Sequence, residues 1–191
     1  MTLLTLSDAD ARYPARVRQR LGANAPAQIT ALGNLGLLGL PMTALFCSTR
    51  SPGNVILATH DQAARWRDDG RCIISGFHSP IEKECLLILL RGNQPIIICP
   101  ARGLVSMRVP ADWKEPLAKS RLLVLSAFGS TEKRATRNLA SDRNRIVAAL
   151  ADEVVFAHVT PGGHLDALRK VVANWSTPHR TIAGTSASNP I

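Results

Sequence analysis

The residues in this chain that could do chemistry are small, polar and cationic, and they recur just after apolar runs. Ser48-Thr49-Arg50 follows MTALFC, Ser75-Gly76-Phe77-His78 follows CII, Arg102-Gly103 follows IIICPA, and Pro161-Gly162-Gly163 follows VVFAHVT. Arg143-Asn144-Arg145 stands just before the apolar run IVAALA. Hydroxyls, free backbone N–H groups and guanidiniums in such loops suit the holding of an anion, phosphate above all. The arginines sharpen the expectation. A helix start is electropositive, so cations where the helix RIVAALA begins are unfavourable unless an anion lies nearby. The alternatives are a solvated basic face, or Arg145 paired with Asp142 or Asp152; small residues also simply make tight turns. The candidate phosphate-binding or nucleic-acid-binding set is Ser48, Thr49, Arg50, Ser75, Gly76, His78, Arg102, Arg143, Asn144, Arg145, Gly162 and Gly163.

Other chemistries find less support. No G-x-x-x-x-G-K-[ST] loop occurs, which a P-loop needs. Gly33, Gly36 and Gly39 precede the first strong strand instead of following it, so they are no dinucleotide fingerprint. No G-x-S-x-G elbow is present. His78 and His164 are isolated, and Glu82 and Glu84 lie at a helix start, where they complement the dipole. Cys47, Cys72, Cys85 and Cys99 include no C-x-x-C pair; buried free thiols are expected and a zinc site is not. No catalytic residue, metal or cofactor is assigned.

These loops need elements to position them. MTALFCS (42–48), RCIISGF (71–77), PIIICPA (95–101), RLLVLSAF (121–128), DEVVFAHV (152–159) and HRTIA (179–183) read as strands, rich in apolar and β-branched residues. Helices are expected across 55–69, 81–91, RIVAALA and HLDALRKVVANW, with a basic loop and a short helix leading to RIVAALA and a looser segment from Arg102 to Ser120. Continuous apolar strands alternating with helices predict a parallel sheet covered on both faces. Such a sheet binds ligands beyond the carboxyl ends of its strands, where the candidate loops fall. The expected fold is therefore α/β, a Rossmann-like three-layer α/β/α arrangement with a mainly parallel sheet of about six strands. Residues 1–40 read as a short helical lead-in, 41–184 as the domain and 185–191 as a flexible tail.

Composition agrees with a phosphate-bearing partner. The chain has 191 residues, 46% of them hydrophobic, and a net charge of +9. Between Arg102 and Arg145 ten Lys/Arg face four Asp/Glu. This balance favours polyanions. Only eight aromatics occur (three Trp, one Tyr, four Phe), so phosphate contacts should outweigh base stacking. The N-terminus shows no basic region followed by an apolar one, and no run is long enough to span a membrane. A cytoplasmic protein is expected.

In their order and spacing these motifs resemble the DNA-processing protein A family (DprA, also called Smf). Tyr13-Pro14, Pro26-Ala27-Gln28-Ile29 and Gly33 to Leu38 are similar to its lead-in. Cys47-Ser48-Thr49-Arg50-Ser51-Pro52-Gly53 is similar to its G-[ST]-R-x-x-S-x-x-G loop, with Cys in place of the first Gly. Ile73 to Phe77 matches its strand end, and Arg143-Asn144-Arg145-Ile146 its RNRI motif. The chain departs at Pro80-Ile81-Glu82-Lys83-Glu84-Cys85-Leu86, where the family has G-I-D-x-x-A-H. The resemblance implies a stand-alone Rossmann-like domain that binds single-stranded DNA in DNA uptake and recombination. A RecA-type recombinase and a second copy of the chain are the partners it implies. It assigns phosphate contacts to Ser48, Arg50, Ser75, Gly76, Arg143, Asn144 and Arg145. Two other readings stay open. One is a pocket for a small nucleotide or nucleotide-derived ligand, as a sensor or carrier. The other is a nucleotide phosphoribohydrolase, because Pro161-Gly162-Gly163 is similar to the P-G-G-x-G-T-x-x-E loop of the LOG type. There the Gly, Thr and Glu positions hold Leu165, Asp166 and Arg169, and the missing carboxylate argues against that chemistry.

Overall fold

The computed structural model describes residues 2–105 and 107–182; the tail expected over 185–191 lies outside them. Among the described residues eight strands form one sheet: β1 (Leu4–Ser7), β2 (Gln28–Gly33), β3 (Met42–Cys47), β4 (Cys72–Ser75), β5 (Ile96–Ile98), β6 (Leu122–Ser126), β7 (Glu153–His158) and β8 (His179–Thr181). Their spatial order is β1-β2-β6-β5-β4-β3-β7-β8. From β6 to β8 all neighbours are parallel, and β1 and β2 join antiparallel at the β6 edge. Helices α1 (Ala15–Leu21), α5 (Arg137–Leu150) and α6 (His164–Asn174) cover one face. Helices α2 (Gly53–Asp68), α3 (Pro80–Leu90) and α4 (Ala111–Ala118) cover the other.

The strand sequences dictate this layering. All six residues of β3 are buried, so both of its faces must be covered. Ala44 and Phe46 point into the layer under α5 and α6, and Leu45 and Cys47 into the layer under α2 and α3. The same alternation sends Phe156 toward Phe46, with ring centroids 5.7 Å apart. Burying each such side chain contributes about 1.5–3 kcal/mol.

Three expectations change. The sheet has two more strands than the six expected, and both lie in residues 1–40, read from sequence as helical. That stretch carries β1 and β2 as well as α1. Leu6, Tyr13, Val17, Ile29 and Ala31 are buried in the same core as β3 and β7. Gly33, at φ 109°, is where β2 crowds β6, since a Cβ there would overlap the Leu122 carbonyl. The second change concerns α5. It begins at Arg137, capped by the Thr136 hydroxyl accepting from the Leu139 N–H at 3.3 Å. Arg143-Asn144-Arg145 therefore lies inside the helix, not at its start. The looser segment also contains α4.

Candidate anion-binding site

A cavity of about 390 Å³ opens at the carboxyl ends of β3, β4 and β7. Its walls are the β3–α2 loop (Ser48, Thr49, Arg50), the α3 start (His78, Ser79, Glu82), one face of α5 and the α6 start (Thr160, Gly163, His164, Leu165). The α5 face presents Arg137, Ala140, Ser141 and Asn144, the i, i+3, i+4, i+7 spacing of a helix. Arg143 reaches in beside them.

Arg143 is the central cation. It is 5% exposed. Its Nη1 donates to the Cys99 carbonyl at 2.9 Å and its Nε to Asn144 Oδ1 at 2.7 Å. Its Nη2 makes no hydrogen bond among the described residues. Burial pushes its pKa below the ordinary arginine value, and the charge of Glu82 acts against that shift. A buried guanidinium with a donor to spare on a cavity wall is matched by an oxyanion. Gly76 explains how the guanidinium fits, because a Cβ there would overlap it. Gly76 makes room for the cation instead of lining the cavity.

Ser75 is likewise a support. It is fully buried. Its hydroxyl donates to the Leu45 carbonyl at 2.8 Å and accepts from the Phe77 N–H at 3.1 Å. Phe77, at φ 46°, is held in the left-handed region by this clamp. The same clamp recurs at the end of β6. Ser126 donates to the Arg102 carbonyl at 2.7 Å and accepts from the Phe128 N–H at 3.1 Å. Ser48 ties two cavity loops together, accepting from the Thr160 N–H at 3.0 Å; its own O–H remains a donor. Thr49, Arg50 and His78 are exposed on the cavity rim. Gly163 caps α6 with no side-chain bond; the Asp166 N–H donates to the Gly163 carbonyl at 3.0 Å, and the N–H groups of His164 and Leu165, residues of the cavity wall, make no bond among the described residues.

Three of the predicted residues fall elsewhere. Arg102 does not line the cavity; Gly162 lies outside it, its N–H on Asp166 Oδ2 at 3.3 Å. Arg145 is exposed and turned from the cavity, because two helical steps rotate a side chain by about 200° from Arg143. Asp152 pairs with Arg16 at 2.6 Å instead. Sequence reasoning passed over Arg137 and Glu82. Extending α5 back to Thr136 would have put Arg137 on the face of Asn144. The signal for Glu82 was its place in the family resemblance, where it stands at the Asp of G-I-D-x-x-A-H. Cys47 also lines the cavity. Its thiol is pushed up by burial, and those of Cys72, Cys85 and Cys99 are pushed up to about 12 by the same cause. All four cysteines are free and buried.

The family model described as DNA recombination-mediator protein A matches residues 4–166. No curated protein matches the sequence. DNA processing protein A from Streptococcus pneumoniae is similar in structure at a TM-score of 0.77 and 20% identity, covering 98% of this chain and 65% of that one. The chain thus spans just under two thirds of that protein. DNA processing protein A from Helicobacter pylori, studied for its single-stranded DNA binding mode, matches at 0.73 and 17%, covering 95% and 80%. The molybdenum cofactor binding protein from Rippkaea orientalis shares the layered fold at 0.53 and 9%, covering 74% and 75%.

Proposed function

The chain belongs to the DNA recombination-mediator protein A family, and we propose from that membership that its cavity binds the phosphates of single-stranded DNA during DNA processing. The observation that carries the reading is Arg143, a buried cation on the cavity wall whose Nη2 makes no hydrogen bond among the described residues. Arg50 and Arg137 stand exposed at the mouth, where a strand would enter. The H. pylori relative, which binds single-stranded DNA, supports the same choice. The contacts assigned are Ser48, Thr49, Arg50, His78, Arg137, Arg143, Asn144 and the N–H groups after Gly163. Ser75 and Gly76 hold the site open.

Fluorescence anisotropy with labelled single-stranded and duplex oligonucleotides, titrated with salt, tests this reading. The single strand should bind more tightly. Arg50→Ala and Arg137→Ala should each flatten the salt slope by about 0.7, one phosphate contact on a single strand. Binding that ignores salt, or that prefers duplex, would sink the proposal. Partners that follow from it are a RecA-type recombinase and a second copy of the chain; sedimentation alone and with recombinase on a strand tests both. A cytoplasmic location goes with that role, and among the described residues no helix is long and apolar enough to cross a membrane.

One observation favours a second reading, a small nucleotide or nucleotide-derived ligand. The site is a half-open cavity of about 390 Å³, within the usual size of small-ligand pockets. A thermal-shift screen of phosphorylated compounds decides it, since a binder raises the melting temperature by mass action. Of the phosphoribohydrolase reading, Asp166 is already engaged by the Gly162 N–H and by Arg169 at 2.9 Å. Release of free base from a nucleoside monophosphate would be needed to revive it.

A further inference from the structure

The cavity carries a second buried charge that phosphate binding leaves unused. Glu82 is 5% exposed. Its Oε1 accepts from the Cys47 N–H at 2.9 Å, and its Oε2 from the N–H groups of His78 at 2.8 Å and Ser79 at 3.2 Å. Those donors sit at the end of β3 and the start of α3, where an incoming phosphate would otherwise find them. The carboxylate has taken that cradle for itself. Arg143 lines the same cavity, but it is anchored to Cys99 and Asn144, not to Glu82. The two groups still sense each other, since the Glu82 charge favours the protonated guanidinium. One cavity therefore holds a fixed cation and a fixed anion, each secured by separate partners.

Resting on the phosphate reading above, we infer that Glu82 makes this cavity selective for a singly charged phosphodiester over a doubly charged terminal phosphate. The buried charges of Arg143 and Glu82 cancel. A phosphodiester brings one charge, which the free Nη2 of Arg143 meets. The second charge of a terminal phosphate would lose its water and find no buried cation in exchange. Arg50 and Arg137 cannot supply one, because they are exposed and their attraction is screened. The occupant is then an internal linkage of a strand, not a strand end or a free nucleoside phosphate.

Thymidine 5′-monophosphate and its methyl ester test this, because they differ by one charge at a pH well above the second phosphate pKa of about 6. Each is used to displace a fluorescein-labelled oligothymidylate from the protein. The ester should displace it at about fivefold lower concentration than the dianion. Glu82→Gln should shift that ratio toward the dianion by a similar factor. Glu82→Asp keeps the charge and should leave the ratio in place, even where it loosens the loops and weakens both ligands. The readout is the ratio, which mere loosening does not move. A dianion that competes as well as the ester, or a ratio unmoved by Glu82→Gln, overturns the inference. So does a labelled strand that binds but is displaced by neither compound. A strand that fails to bind at all would overturn the phosphate reading itself, and this inference with it.

Discussion

At the scale of single residues the site depends on a pairing that neither partner announces alone. Arg143 can bury its guanidinium only because residue 76 has no side chain. Gly76→Ala should therefore act as an arginine mutation at a distance. The added methyl would push the guanidinium from its slot and strip the Cys99 carbonyl of its donor. Urea denaturation should show a loss of about 2–4 kcal/mol, the range for an uncompensated buried polar group plus strain. Anisotropy should show strand affinity falling by at least about tenfold, since a hydrogen bond to a charged group is worth about 1.5–3 kcal/mol. Arg145→Ala is the matching control. Arg145 is exposed, and among the described residues no ion pair holds it. Its loss should change stability by less than about 0.5 kcal/mol and leave the salt slope as it was. The residue types Gly76 and Arg143 could both be picked out from sequence. That one exists to admit the other could not, because they are far apart in the chain and meet only across the sheet edge.

At the scale of elements, what was legible follows from how much of each segment is buried. The five strands from β3 to β7 stand out as apolar runs because the central ones are covered on both faces. β1 and β2 escape notice because β1 is mostly exposed and β2 only partly covered, so their apolar signal is diluted. That α5 runs unbroken from Arg137, where a short helix and a separate one were expected, escapes for a related reason. Its inner face borders the cavity and carries Arg137, Ala140, Ser141 and Asn144, polar or small residues in place of an apolar stripe. Only the second half, from Ile146, packs on the core. The overlooked signal was the Thr136 cap. Thr136→Ala should cost about 1 kcal/mol in denaturation, the usual worth of such a cap. It should also weaken strand binding, because the first turn that frays carries Arg137. A loss of stability with unchanged binding would mean that the first turn takes no part in the site.

At the scale of the whole molecule, one clasp joins the antiparallel lead-in to the parallel sheet, and it lies at the edge opposite the cavity. Asp152, just before β7, accepts from the Met42 N–H at 2.8 Å, returns its own N–H to the Met42 carbonyl at 2.8 Å, and pairs with Arg16 of α1. Arg20, one turn on, donates to the carbonyls of Ala148, Ala149 and Ala151 at the end of α5. Burial raises the Asp152 pKa, but Arg16, the Met42 N–H and the charge of Arg20 outweigh it and hold the carboxyl below its ordinary value. A carboxyl depressed in the folded state stabilises above its unfolded pKa of about 3.9, and that stabilisation fades as pH falls through the lower folded value. Asp152→Asn should therefore cost about 1 kcal/mol at neutral pH, a figure already discounted for the clasp's partial exposure. The difference between the two proteins should shrink as pH falls below about 4. Urea midpoints across that range measure it, and a constant difference would show that Asp152 acts through packing alone. Because the clasp and the cavity occupy opposite ends of the same strands, strand affinity at neutral pH should be the same for both proteins. Any change in affinity would mean that the register of β3 against β7, which the clasp fixes at one end, also sets the spacing of Ser48 and Thr160 at the other.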